Sequence, residues 1–148
     1  MIYLLDTDSL IFVVRGLKSA RRPAQRARAQ QFAARCQQAQ ATGHAVGLSA
    51  ITLSELDFGA RNSANYASEM AAVQKIVAPF DLYDYDAAVC PTHYGQIRYE
   101  LESHGMVIGS MDLMIAAHAL ALDATLISNN QSHFKRVAGL RTESWIGP

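Results

Sequence analysis

The first ten residues are the part of the chain that most restricts its fold. Residues 2–5 form a short apolar run of aliphatic and aromatic side chains, typical of a fully buried strand in a parallel sheet. Asp6 and Asp8 follow this run, and an apolar helical segment begins at Leu10. Because ligands bind at the carboxyl ends of strands in open α/β sheets, this pair of acids predicts a functional site. Helix capping explains Asp8 equally well, but capping uses only one carboxylate, so Asp6 needs a separate explanation.

The length and composition indicate one domain with a real core, spanning residues 1–148. Half of the residues are apolar, yet no apolar run approaches the roughly 18 residues that cross a membrane. No basic leader with a cleavage site precedes the first strand, so no signal peptide is expected. Cys36 and Cys90 form no disulfide or metal-binding pattern, and we therefore expect a reducing, cytoplasmic environment.

The charged residues are unevenly distributed, although the formal net charge is zero. Residues 15–35 contain no acid and seven of the 13 basic residues, namely Arg15, Lys18, Arg21, Arg22, Arg26, Arg28 and Arg35. They predict a basic helical arm at about residues 18–43. A solvated helix face explains such an arm, and so does a surface that binds nucleic acid or an acidic partner.

Further short apolar runs alternate with helical patterns along the rest of the chain. Ser49 and Ser110 are predicted N-caps, and Pro91 predicts a kink or a late start in the helix from Asp84. This alternation is typical of a doubly wound α/β fold with a parallel sheet flanked by helices. Strands are predicted at residues 45–48, 79–83, 124–128 and 140–145, and helices at residues 19–41, 49–60, 66–77, 84–104, from 110 onward and 131–136.

Glu55 lies among apolar neighbours, with Ile51 at i−4 and Phe58 at i+3, and has no cation nearby in sequence. A buried carboxylate without a partner is costly, so we expect a partner from elsewhere in the fold. That partner is a distant arginine, a backbone donor or a metal ion. Asp57 differs, because Arg61 at i+4 makes an ordinary surface pair with it.

Asp112 falls in the first turn of the helix that begins near Ser110, on the same face as Ile115 and Ala119. Helix-dipole complementation explains an exposed acid at such a position, but not one on a packed face. We therefore interpret Asp112 as a functional residue that points toward the crevice.

The predicted strand at residues 124–128 also ends in polar groups, Ser128 and Asn130. His118 and His133 show no metal-ligand spacing with another His or Cys, and we interpret both as structural.

Asp6, Glu55 and Asp112 are thus expected at one edge of the sheet without local cations. Like charges raise one another's pKa unless a cation neutralises them. Hard carboxylate oxygens select Mg²⁺ or Mn²⁺, and such an ion activates water and stabilises displacement at phosphorus. The residues therefore predict a metal-dependent phosphoryl-transfer or phosphodiester-hydrolysing enzyme. The alternative is a non-catalytic RNA- or protein-binding module whose acids bind an arginine from a partner.

Several ordered motifs together resemble those of PIN-domain ribonucleases of the VapC toxin type. The resemblance covers nearly the whole chain. Residues 83–88 and 95–98 are similar to the branch of tRNA(fMet)-specific endonucleases. It rests on residues 4–8, 49–60, 83–88, 95–98, 109–119, 125–134 and 139–145.

The resemblance implies a PIN-like three-layer fold with a parallel sheet of four or five strands, and commonly a homodimer. It implies an endoribonuclease that cuts single-stranded or loop RNA, such as tRNA, with Mg²⁺ or Mn²⁺. It also implies a small antitoxin protein as inhibitor. Asp6, Glu55 and Asp112 match the catalytic acids of the family. Asp6 and Asp112 would ligate the metal, and Glu55 would orient water or bind a second ion.

The sequence departs from the family pattern at three site positions. Asp8 stands where Asn is commoner, Asn130 stands where many members have a fourth acid, and Ser128 replaces the usual Thr. The basic arm is also longer than expected. Its candidate RNA-binding residues are Arg21, Arg22, Arg26 and Arg28, and the alternative is docking of the antitoxin or the dimer mate.

Overall fold

A computed structural model describes residues 1–18 and 22–146. These ranges contain five strands and seven helices. The strands are β1 (Ile2–Leu5), β2 (Ala45–Ser49), β3 (Asp81–Tyr83), β4 (Thr125–Ile127) and β5 (Arg141–Glu143). The helices are α1 (Thr7–Lys18), α2 (Pro23–Ala41), α3 (Ala50–Arg61), α4 (Tyr66–Val77), α5 (Cys90–Ser103), α6 (Ser110–Ala121) and α7 (Gln131–Phe134). No helix in the described ranges is both long and apolar enough to cross a membrane.

The five strands form one parallel sheet in the order β3-β2-β1-β4-β5. The chain builds this sheet outward from β1 to β3 and then crosses to β4, so the strand order reverses between β1 and β4. Leu5 at the end of β1 pairs with Leu48 in β2 and with Ile127 in β4, which aligns the carboxyl ends of the three strands. A crevice opens at such a reversal point, and Asp6 and Ser128 border it. The predicted parallel α/β fold is confirmed.

Alternate strand residues pack against different helical layers, which gives the three-layer arrangement. Leu4 and Leu126 belong to a core cluster with residues of α5 and α6. Leu5 and Ile127 face the other side and pack with residues of α1 and α2. Because these four residues are fully buried, the central strands hold the sheet between two apolar layers and fix the direction of the residues that follow them.

Two helix starts differ from the prediction, and a third confirms it. α1 begins at Thr7, so Asp6 rather than Asp8 occupies the capping position. α6 has Gly109 as its N-cap instead of Ser110, because the extended backbone of Gly109 directs its carbonyl to the amide of Leu113. The helix expected from residue 84 has the late start that Pro91 predicts, since it begins at Cys90 with the proline in its first turn, where the missing N–H costs nothing.

The basic arm is visible as α2, which begins at Pro23. Arg22, Arg26 and Arg28 are exposed around its first turns. The predicted helix start at residue 19 and Arg21 lie outside the described ranges. The arm packs closely on α1, because a Cβ added at Gly16 would lie 2.6 Å from the Cβ of Ala29. Only glycine allows the two helices to approach this closely at that point.

Candidate active site

Asp6 lies at the carboxyl end of β1, and both of its carboxylate oxygens accept hydrogen bonds. The amide of Ser9 donates to Oδ1 over 2.8 Å, which caps α1. The Ser128 hydroxyl, which follows β4, donates to Oδ2. The Asp6 amide in turn donates to the carbonyl of Ile127 over 3.0 Å. The neighbouring strand therefore holds Asp6 in one orientation.

Capping does not account for the full environment of Asp6. Its side chain is almost completely buried, with 4% exposed. Burial raises the pKa of Asp6, and the hydrogen bonds from Ser128 and Ser9 offset this only in part. The negative charge of Asp8 raises it further. An ionised Asp6 is therefore costly in this position unless a cation neutralises it.

Glu55 projects from α3 toward the same region. The hydroxyl of Thr7 donates to its Oε1 over 3.2 Å and also lies 3.0 Å from the hydroxyl of Thr52. Partial burial raises the pKa of Glu55, and the charges of Asp8, Asp112 and Asp6 raise it further. Asp6, Asp8 and Asp112 are thus all close enough to Glu55 for their charges to act on it.

The packed apolar face predicted around Glu55 is wrong. Phe58 is 67% exposed, and Gly59 is also exposed. Glu55 is therefore only half-buried, and its partner is a threonine hydroxyl rather than an arginine.

Asp112 lies in the first turn of α6, as predicted, and its side chain is 34% exposed. The structure also brings His133 to this acid, with its Nδ1 3.4 Å from Oδ2 of Asp112. The side-chain nitrogen of Asn130 lies 2.9 Å from the same Nδ1. Asn130 therefore reaches the predicted site through His133, a residue whose sequence spacing gave no sign of this contact.

A buried contact joins the two helices that carry Glu55 and Asp112. Nδ1 of His118 in α6 lies 2.7 Å from the hydroxyl of Ser49. Ser49 caps α3, since its side chain accepts from the amide of Ile51 over 3.1 Å. Burial lowers the pKa of His118, so its imidazole is neutral near pH 7. His118 is a structural residue that fixes α3 relative to α6.

The four acids have no lysine or arginine partner within the described ranges. The Lys and Arg ion pairs found there involve other carboxylates, and the ionisable partner of Asp112 is His133. Among the described residues, no group of three or more His, Cys, Asp or Glu side chains lies close enough together to hold a metal ion. Mg²⁺ usually keeps several waters and binds through one or two carboxylates, so an incomplete set of hard oxygen donors suits it.

Two arginines of the arm border a groove next to α1. Arg22 and Arg28 line this groove together with Phe12 of α1. Phe12 lies about 8 Å along the axis of α1 from Thr7, the residue bonded to Glu55. The described arginines of the arm make no ion pair with the acids.

The PIN domain sequence profile matches residues 3–140. The chain is 44% identical over 98 residues to a tRNA(fMet)-specific endonuclease VapC from Shigella flexneri, covering 66% of this chain and 74% of that protein. It is 31% identical over 145 residues to Ribonuclease VapC2 from Rickettsia felis, covering 98% of each. Its structure is similar to that of VapBC2 from Rickettsia felis bound to a promoter DNA fragment, with a TM-score of 0.80, 30% identity and coverage of 98% of this chain and 99% of that one.

The profile match covers most of the chain. The parallel sheet and the polar residues that follow β1 and β4 are consistent with that match. The chain belongs to the PIN-domain family.

Proposed function

We propose that the chain is a Mg²⁺- or Mn²⁺-dependent endoribonuclease and the toxin of a cytoplasmic toxin–antitoxin pair. The observation that carries this proposal is the group of acids at the reversal point of the sheet, where the charges of Asp6, Asp8 and Asp112 all act on Glu55. Carboxylates arranged in this way without a basic partner are suited to a divalent cation.

The acids divide the proposed reaction between metal binding and proton transfer. Asp6 and Asp112 hold the ion, which when bound supplies Lewis acidity and lowers the pKa of water. Ser128 keeps the Asp6 carboxylate in position, and Thr7 does the same for Glu55. Glu55, whose pKa is raised, orients the attacking water and accepts its proton. Asp8 adds a negative charge that acts on Glu55. Asn130 contacts His133, which approaches Asp112.

The proposed substrate is RNA, with tRNA as the first candidate. Two similar proteins are named as a tRNA(fMet)-specific endonuclease and as a ribonuclease, which supports this choice. The exposed arginines at the start of α2 suit a phosphate backbone. The similar VapBC2 structure suggests that a cognate antitoxin binds this chain, and an antitoxin arginine would pair with the free acids. A homodimer is the proposed assembly.

A comparison of two acids on α3 tests the proposal. Changing Glu55 to Gln should slow RNA cleavage by about 100-fold or more, because general acid–base catalysis contributes typically 10²–10⁴-fold. The matched control is Asp57→Asn, whose carboxylate pairs with Arg61 and Tyr66 on the outside of the same helix. Cleavage of total RNA and of a tRNA fraction should continue at the normal rate in the control. If both variants cleave RNA at the same rate as the unmodified chain, Glu55 has no role in the reaction.

Charge reversal of Arg22, Arg26 and Arg28 to Glu tests the arm. RNA binding should weaken, and the slope of log K against log salt should become less negative by about 2, since each lost phosphate contact contributes about 0.7. Fluorescence anisotropy with a labelled RNA at several salt concentrations measures both effects. The control reverses the same number of exposed charges elsewhere, at Lys75, Lys135 and Arg136. If both triple variants weaken binding equally, the arm has no specific part in it.

A further inference from the structure

A second pocket, away from the four acids, lies between the end of α2 and the chain after β5. Its volume is about 170 Å³, and its lining includes three aromatic rings, those of Tyr3, His44 and Trp145, together with Arg35. Tyr3 is near the start of β1, whereas Asp6 follows the end of that strand. The pocket is therefore separate from the candidate active site.

The aromatic rings of this pocket contact one another. The rings of Tyr3 and Trp145 have centroids 4.9 Å apart, and those of Tyr3 and His44 have centroids 5.5 Å apart. The guanidinium of Arg35 lies over the Trp145 ring, 5.2 Å from its centroid. Glu143 accepts a hydrogen bond from the indole nitrogen over 3.0 Å and so fixes the indole ring. The pocket thus combines flat apolar faces with one planar cation.

Two features indicate the kind of ligand that this pocket takes. Pockets for drug-sized molecules span about 300–1,000 Å³, so a volume near 170 Å³ suits a single small planar group. Nδ1 of His44 is buried and has no hydrogen-bond partner among the described residues. A polar ligand edge that reaches this nitrogen would offset the cost of its unmade hydrogen bond. A nucleobase has both the flat shape and the polar edge.

The position of Arg35 connects the pocket to the basic arm. Arg28 and Arg35 are seven residues apart on α2, which is about two turns, so they project from the same side of the helix. Arg28 also borders the groove next to α1. Residues 15–35 contain no acid, so positive charge extends along the arm as far as the aromatic pocket. Basic grooves combined with aromatic platforms are how proteins bind single-stranded nucleic acid.

We infer that Tyr3, Arg35, His44 and Trp145 form a subsite that stacks one unpaired base of the RNA at a distance from the cleaved bond. This inference rests on the proposed ribonuclease function and adds a second point of contact for the substrate. The base enters next to the Trp145 ring under Arg35, while Arg28 and its neighbours bind the backbone that leads toward the acids.

The fluorescence of Trp145, the single tryptophan of the chain, tests the subsite directly. Single-stranded RNA hexamers are titrated into the Asp112→Asn variant with EDTA present, so that no cleavage occurs. Trp145 fluorescence should change and saturate. Adenosine should produce the same change at higher concentration, whereas ribose 5-phosphate, which has charge but no base, should not. Arg35→Ala should weaken hexamer binding roughly 2- to 5-fold, the range for losing one exposed cation–π contact while Tyr3 and Trp145 remain.

The control variant is Arg98→Ala, which removes an exposed arginine of α5 that pairs with Glu102. It should bind the hexamer as tightly as the parent.

The inference is overturned if the hexamer binds without any change in Trp145 fluorescence, or if Arg35→Ala binds normally. A response to ribose 5-phosphate equal to that to adenosine also overturns it, because the pocket would then bind phosphate only. Cleavage of RNA by the unmodified chain is measured in parallel. If the chain cleaves RNA but the fluorescence of Trp145 does not change, the subsite is overturned and the proposed nuclease function is not. If the chain neither binds nor cleaves RNA, the proposed function fails as well.

Discussion

Changing Asp112 to Asn lowers the rate of RNA cleavage by more than about 100-fold and leaves the protein folded. Loss of a residue that merely orients a metal ligand typically costs 10–100-fold in metal affinity or activity, so loss of a ligand itself should cost more. The side chain is 34% exposed at the start of α6, and Asn has nearly the same shape. Initial cleavage rates with Mn²⁺, together with circular dichroism spectra, measure the two parts of this prediction.

Asp123→Asn is the matched control, because this acid lies just beyond the other end of α6. It is exposed and pairs with Arg141, and its φ of +53° is one that Asn also tolerates. This variant should cleave RNA at the normal rate. Normal cleavage by a folded Asp112→Asn variant would show that Asp112 is not needed for the reaction.

Changing Asp6 to Asn raises the free energy of unfolding of the metal-free protein at neutral pH and removes its stabilisation by Mn²⁺. Burial raises the pKa of Asp6, so the ionised side chain opposes folding when no cation is bound. Asn keeps an oxygen that accepts from the Ser9 amide, and so the cap of α1 remains. In the unmodified chain, Mn²⁺ at about 100 times its Kd adds about 2.7 kcal/mol of stability, a gain that the variant should lack.

The pH dependence of this difference follows from the direction of the pKa shift. The pKa of Asp6 is higher in the folded chain than in the unfolded chain, so protonation favours folding. The unmodified protein should therefore gain stability relative to Asp6→Asn as the pH falls from 7 toward about 4, near the ordinary Asp pKa. Thermal unfolding of both proteins with EDTA at several pH values measures this, since about 1 kcal/mol shifts Tm by roughly 2–4 °C. A variant that is less stable at pH 7 and still responds to Mn²⁺ would contradict the proposed role of Asp6.

The features that the sequence predicted well are those that depend on neighbours along the chain. The apolar runs that became β1 and β4 identified the core strands, and the acids and hydroxyls that follow them marked the carboxyl edge of the sheet. Asp112 was placed correctly in the first turn of its helix, because that position depends only on where the helix begins to within one residue.

The features that the sequence did not predict depend on contacts between distant elements. His133 approaches Asp112 only because α7 packs next to the start of α6. The hydroxyl of Thr7 reaches Glu55 because α1 and α3 lie side by side. The exposure of Phe58 could not be read from helical spacing either, since the period shows which residues share a face but not whether another element covers it. Capping was considered for Asp8, but Asp6 caps α1, and the sequence could not separate them because both acids stand near the helix start.

The central claim is that a divalent ion at Asp6 and Asp112 supports RNA cleavage. Its most direct test is cleavage of total RNA by the purified chain with Mg²⁺ or Mn²⁺, then with excess EDTA, then with the ion restored. We expect defined fragments that disappear with EDTA and return when Mn²⁺ is added back. Cleavage that continues at the same rate in EDTA would contradict the metal-dependent site. No cleavage by a folded, metal-loaded protein would instead favour a binding module whose acids accept an arginine from a partner.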